Sequence, residues 1–201
     1  MTDLADLFGP IDIYLFDQLL RGRIRRGHRI VDAGCGSGRN LKWLLREGYD
    51  LYGVDENPQA IAAVRELAAA LSAGLPSDRF RVARVEATGF PDAFADVVMS
   101  SAVLHFAHDT AQFEAMVDEM WRILHPGGLL FARLASTIGM ADRMQPLGNG
   151  RYHLPDGSER YLVDEAQLMT CTRRLGGALL DPLKTTVVQD ARCMTTWVLR
   201  K

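Results

Sequence analysis

The 201-residue sequence is poor in cysteine, lacks any long apolar run and is nearly balanced in charge. Each shortage removes a class of protein. Cys35, Cys171 and Cys193 are odd in number and far apart, no CxxC pair occurs, and no histidine cluster stands at metal-ligand spacing. A disulfide scaffold and a metal module are thereby disfavoured, and three free thiols are expected. No stretch approaches the roughly 20 apolar residues of a membrane span. The opening MTDLADLFGP lacks the basic start and apolar run of a signal peptide, so the expectation is a cytoplasmic protein with no membrane partner. A formal net charge of -2 gives no general attraction for nucleic acid, whose phosphate backbone is bound through a basic surface. With 48% hydrophobic and 24% charged residues, the composition is that of an ordinary globular domain with a substantial core, expected as a monomer or homodimer.

What is present is concentrated between Arg29 and Glu56. An apolar pair, Ile30 and Val31, ends on Asp32; Gly34, Gly36 and Gly38 follow at alternate places; a helical pattern starts near Arg39; and a second apolar run, Leu51 to Val54, stops on Asp55. Strand, tight loop, helix and strand within about thirty residues read as a βαβ unit. Residues without Cβ let the chain turn sharply and let a ligand reach the main chain, and a helix start offers it free N–H groups. A carboxylate ending the second strand is placed to accept from the two hydroxyls of a ribose. A nucleoside-containing cofactor satisfies both. Cys35 is either a thiol activated at a helix start or a small residue tucked into the loop, and the second reading is preferred.

A dinucleotide fingerprint needs GxGxxG, and counted from Gly34 the third glycine position holds Arg39. The sequence DAGCGSG, with VDEN at the next strand end, instead resembles motif I of the class I S-adenosylmethionine-dependent methyltransferases. The resemblance implies an α/β fold with a Rossmann-like seven-stranded sheet, mostly parallel with a C-terminal antiparallel hairpin, and helices on both faces. It implies S-adenosylmethionine as cofactor, S-adenosylhomocysteine as product, and direct SN2 transfer to a small-molecule acceptor. Cofactor contacts fall on Asp32, Gly34, Cys35, Gly36, Gly38 and Arg39 in the loop and on Asp55 and Glu56 at the second strand end. A helix with Asn57 as N-cap and Pro58 in its first turn leads to a strand, Phe80 to Val85, ending on Glu86. The family pattern there has Glu86 accepting from the adenine amino group and the Ala87 N–H bonding a ring nitrogen.

The strand Ala95 to Ser100 brings Ser100 and Ser101 to the place where acceptor meets methyl group. An Asn/Asp-Pro-Pro-aromatic motif and a Pro-Cys pair are both missing there, which weakens the nucleobase-methylating readings. VLHFAHD resembles a segment of small-molecule methyltransferases and makes His105 a candidate general base. From Thr110 a helix with Phe113, Met116, Val117, Met120 and Ile123 on its apolar face is expected to break at LHPGG before a strand, Leu129 to Leu134; WRILHPGGLLFARL resembles motif III.

Residues 1–28 include a helix from Ile11 to Ile24 with Ile13, Phe16, Leu19 and Leu20 on one side, and the resemblance implies that this segment is a helical cap over the cofactor that brings Tyr14 or Phe8 near the methyl group. The basic run from Arg21 to Arg29 is read as a solvated helix end in preference to a phosphate grip. Residues 29–201 read as a single catalytic domain, interrupted around 136–163 by a Gly- and Pro-rich connection of the length that is usually functional or disordered. In the enzymes it resembles acceptor specificity lies in this region, which implies a substrate lid with Arg143, Arg151, Tyr152, His153 and Arg160 as candidate substrate contacts. A helix from Asp164 to Leu175 and two β-rich runs, Leu183 to Val188 and Met194 to Leu199, close the chain as helix and hairpin. The glycine-loop region and the terminal ARCMTTWVLRK also resemble the tellurite-resistance subgroup, whose His-Arg pair between the last strands is replaced here by Val188, Gln189 and Asp190. A non-catalytic nucleoside-binding module and an NAD-dependent oxidoreductase are the alternatives.

Overall fold

Apolar side chains alternate between the two faces of β1 (Arg29–Ala33), β4 (Ala95–Ser101) and β5 (Leu124–Ala135), so a sheet made of them must be covered on both sides. The computed structural model describes residues 3–72 and 74–201; Met1 and Thr2 of the expected cap, and Ala73, lie outside the described residues. On one face Val31, Val98 and Leu130 pack with Phe113, Met120 and Leu168 of α5 (Thr110–Ile123) and α6 (Glu165–Arg174). On the other, Ile30, Val97 and Phe131 pack with Leu15, Leu44, Ile61 and Val64. These come from α2 (Ile13–Leu20), α3 (Lys42–Arg46) and α4 (Pro58–Leu71), while α1 (Leu4–Phe8) precedes them.

The strands run in the order β10-β11-β5-β4-β1-β2-β3, with β2 (Asp50–Asp55), β3 (Phe80–Val82), β10 (Lys184–Val188) and β11 (Arg192–Arg200). The first five in sequence are parallel, and β11 is antiparallel to both β5 and β10. A short β9 (Ala178–Leu179) also pairs with β11. This is the Rossmann-like methyltransferase sheet with its terminal hairpin. The hairpin turns through Gln189 and Asp190, both in the left-handed region, and the Ala191 N–H bonds the Val188 carbonyl at 2.9 Å. Because β1 pairs with β2 on one side and β4 on the other, a crevice opens at the carboxyl ends of β1 and β4.

Several elements differ from the sequence expectation. In α2 the inner stripe is Asp12, Leu15 and Gln18, whereas Ile13 is 66% and Leu20 73% exposed. The helix is rotated by its polar anchors: Asp12 caps it while bonding Ser101, and Gln18 bonds Asp181. The helix expected near Arg39 starts only at Lys42, since residues 38–41 form a turn closed by the Leu41 N–H on the Gly38 carbonyl. Its five residues leave little dipole to aim at a ligand. The strand expected to reach Val85 stops at Val82, and Val85–Ala87 forms a 3-10 turn. LHPGG is no gap before a strand: β5 begins directly at Leu124, with a register shift against β4 absorbing the extra residues. Residues 136–163 are also more ordered than their composition suggests. They contain a second, antiparallel sheet of β6 (Gln145–Gly148), β7 (Arg151–His153) and β8 (Glu159–Tyr161).

Candidate active site

The crevice holds a cavity of about 560 Å³. Its floor is the glycine loop, hung on β2 by the N–H groups of Gly34 and Cys35, which both bond the Val54 carbonyl. Gly34 has φ +83°, and a Cβ there would stand 2.4 Å from a Val103 methyl. Gly38 is equally crowded, since a Cβ would meet Val64 at 2.8 Å and Leu67 at 2.9 Å. Two of the three glycines therefore serve close packing against the β4–α5 connection and α4. The third presents its main chain: the Gly36 N–H donates to Asp55 Oδ2 at 2.9 Å, while Asp55 Oδ1 accepts the Asn57 N–H at 2.9 Å. The strand-end acid is thus tied to the loop at the cavity wall, with Glu56 exposed beside it.

Asp32 and Ser100 do not reach the cavity surface. Both are buried beneath it, and Asp32 Oδ1 and Ser100 Oγ have no hydrogen-bond partner among the described residues. Burial pushes the Asp32 carboxyl up to about 7, against the pull of Arg39 and with a further push from Asp55. Cys35 lines the cavity, but burial, reinforced by Asp32 and Asp55, raises its thiol well above the ordinary value. An activated nucleophile would need the opposite shift.

Beside the loop, Arg39 donates to Ser101 Oγ at 3.1 Å, and Ser101 Oγ donates to Asp12 Oδ2 at 2.9 Å. Arg133 donates to the same Asp12 oxygen at 3.1 Å, and the Asp12 N–H bonds Asn40 Oδ1 at 2.9 Å. Asp12 therefore fastens the N-terminal segment to β4 and β5 through its carboxylate and to the end of the glycine loop through its N–H. Tyr14 lies outside the cavity lining; its hydroxyl bonds Thr186 at 2.5 Å and its ring lies under Arg133. Phe8 packs on Phe16 and Trp43.

At the far end Glu86 lines the cavity and accepts from Gln112 Nε2 at 3.0 Å, with Arg84 2.9 Å away. The Ala87 N–H, expected to bond an adenine ring nitrogen, donates instead to the Arg84 carbonyl within the 3-10 turn. His105 is also off the cavity surface. Its Nδ1 accepts the Ala135 N–H at 3.3 Å, and burial, with Arg160 and Arg133, lowers its pKa to about 4. A neutral ring whose accepting nitrogen faces the backbone is poorly placed to take a proton from a ligand.

Of the candidates within residues 136–163, Arg160 stacks over the exposed cavity residue Phe106, and Arg151 donates to the Ala107 carbonyl at the cavity edge. Arg143 pairs instead with Asp190, Tyr152 packs beside a small core around Met140, and His153 is half-buried in β7. Asp12, Gln112 and Arg133 carry much of the site's wiring and were missed by the sequence reading. Asp12 is visible as an N-cap before an apolar helix, but its second oxygen acts over a distance that no local pattern encodes. Among the described residues no group of three or more His, Cys, Asp or Glu side chains is placed to hold a metal, and no helix is long and apolar enough to cross a membrane.

A cavity at the strand reversal of a mostly parallel sheet, walled by a glycine loop and a strand-end acid, defines a small-molecule site of the nucleotide-binding α/β class. More narrowly, the sequence matches the protein family described as "Methyltransferase domain" over residues 31–132, half of its length, and the chain belongs to that family. It is 36% identical over 106 residues to a ubiquinone biosynthesis O-methyltransferase of Methylocella silvestris, a match covering 53% of this chain and 39% of that protein. It is 29% identical over 128 residues to a malonyl-[acyl-carrier protein] O-methyltransferase of Serratia marcescens, covering 64% and 45%. The chain thus spans less than half the length of these two curated relatives. Its fold is similar to that of a SAM-dependent methyltransferase from Methanosarcina mazei, with a TM-score of 0.73 at 20% identity over 91% of this chain and 96% of that one.

Proposed function

We propose that the protein is an S-adenosylmethionine-dependent methyltransferase acting on a small-molecule acceptor. The observation that carries this reading is the Asp55 carboxylate bonded to the Gly36 and Asn57 N–H groups at the wall of the 560 Å³ cavity. Each Asp55 oxygen keeps a lone pair for a ribose hydroxyl. The buried, unpartnered Asp32 Oδ1 beneath the loop fits a ligand that brings positive charge. Asp32 and the loop of Gly34, Cys35, Gly36 and Gly38 would hold the methionine part, Asp55 and Glu56 the ribose, and Glu86 the adenine against Val85 and Met116. With the Ala87 N–H spent locally, the adenine edge relies on Glu86.

When bound, S-adenosylmethionine supplies an already activated methyl group for direct SN2 transfer. The protein's task is then alignment, exclusion of water and charge placement. Arg39, steadied by Ser101, would orient the acceptor at one side of the cavity, and Phe106 under Arg160 would close the other. No side-chain base is assigned to His105. Both curated relatives are named O-methyltransferases, which favours an oxygen acceptor. A tellurite-type acceptor is the narrower form of the reading, and the Gln189–Asp190 turn with its Arg143 pair speaks against it. Residues 1–28 would act as the cap, with Asp12 as its fastening, and 136–163 as the acceptor-side lid on a single domain.

The test is calorimetric titration with S-adenosylmethionine, S-adenosylhomocysteine and NAD, repeated on Asp55→Ala. Binding of the first two, weakened about 10- to 100-fold by loss of two charge-assisted bonds, is expected, followed by turnover in an acceptor screen. NAD binding alone would overturn the reading. Tight cofactor binding with no turnover of any acceptor would leave a nucleoside-binding module.

A further inference from the structure

The basic run from Arg21 to Arg29 plays no part in the cavity just described, and only its first residue, Arg21, which caps α2, belongs to a helix end. Helix α2 stops at Leu20, and residues 21–28 form turns. They line a second cleft of about 390 Å³ at the opposite, amino end of the sheet. Arg21, Arg23, Arg25 and His28 come from this run, His125 from the start of β5 and Arg200 from the end of β11. One carboxylate, Asp96, also lines it, and its Oδ2 already accepts the Arg29 N–H at 2.8 Å.

The charges are not equivalent. Arg21 and Arg23 are paired to Asp181, at 3.3 and 2.7 Å, and Arg21 also to Asp17. Burial opposes ionisation of Asp181, but bonds from Arg23 and Gln18 outweigh it and hold that carboxyl below its usual range. Arg25 and Arg200 are exposed and make no ion pair with any described residue. The lining also includes Gly22 and Gly127, both in the left-handed region, where an added Cβ would meet nothing within 4 Å. Their N–H groups are spent on the Leu19 and Lys201 carbonyls, so the donors left to a ligand there are the side chains.

We propose that this cleft is a binding site for the phosphate group of a small soluble molecule, separate from the cofactor cavity. Two unpaired guanidiniums offer the planar donor forks that suit phosphate oxygens, and the paired Arg21 and Arg23 fix the wall beside them. A concave site of this volume fits a small molecule, whereas a polynucleotide or membrane would be opposed by the overall charge of -2.

The experiment is 31P NMR and calorimetric titration of the full chain with inorganic phosphate, pyrophosphate and glycerol 3-phosphate, on wild type, R25A/R200A, R26A and R39A. Saturable binding is expected that falls about tenfold or more in R25A/R200A and persists in R26A, whose guanidinium is paired to Glu47 outside the cleft, and in R39A of the cofactor cavity. Comparison of the probes separates free phosphate from a phosphate ester as the natural ligand. The proposal is overturned if no probe saturates, if R26A weakens binding as much as R25A/R200A, if R39A alone abolishes it, or if an RNA oligonucleotide binds there and phosphate fails to compete.

Discussion

The two ends of the sheet use glycine for opposite purposes. At the carboxyl end Gly34 and Gly38 are surrounded, so that Val103, Val64 and Leu67 leave no room for a Cβ. At the amino end Gly22 and Gly127 take the same left-handed backbone in open space. The first pair lets helices and connections close around a cavity; the second only turns the chain. The walls differ in the same sense. Around the front cavity Asp55, Glu56 and Glu86 supply acceptors, while the rear cleft is dominated by arginine.

Substitutions at these glycines should separate the two ends most sharply. Gly34→Ala combines a left-handed φ with a collision against Val103, so a loss of on the order of 3 kcal/mol or more is expected in urea denaturation. Gly127→Ala meets only the backbone penalty, about 1 kcal/mol, and equal losses at the two sites would break the contrast. Next in size is Asp12→Ala, which leaves Arg133 without its carboxylate partner. About 3 kcal/mol of destabilisation is expected, as when one member of a buried ion pair is removed, together with weaker cofactor binding in calorimetry.

Asp32 provides a test by pH. Its native pKa of about 7 lies above the ordinary 3.8, so between those values the native state keeps a proton that the unfolded chain releases. Its contribution to stability therefore falls as pH rises through that window. Asp32→Asn should stabilise the ligand-free protein near pH 8 by on the order of 1–3 kcal/mol and change little near pH 4, while weakening cofactor binding. His105 works in the other sense: its depressed pKa costs stability as pH falls from 6.5 towards about 4. That effect is common to both proteins and cancels in their difference. Paired urea melts at the two pH values give the answer, and a constant difference would refute the charge argument. The smallest effect belongs to Arg26→Ala, within about 0.5 kcal/mol in a thermal melt, because its pair with Glu47 is exposed.

Contiguity decided what could be read early. Asp32 to Arg39 and Asp55 lie within one βαβ unit, where glycine spacing and strand-end acids report local backbone demands, so the site's location, α4 with its Asn57 cap, the buried face of α5 and the terminal hairpin were all legible. The inner stripe of α2 was not, because apolar periodicity omits buried polar residues such as Asp12 and Gln18 that find partners elsewhere. The second sheet was hidden by its turn-rich composition.

The sequence by itself determined the family, the sheet and the cavity's glycine-and-acid frame, since these rest on local steric rules and on hydrophobic alternation. Only the tertiary structure decided which groups face the cavity. It turned His105 to the backbone, spent the Ala87 N–H in a turn and buried Asp32 with its Oδ1 unpartnered among the described residues. It also gathered arginines from positions 21 to 200 around one cleft. Side-chain direction and long-range partners depend on packing between segments far apart in the chain, and short-range pattern carries no record of it.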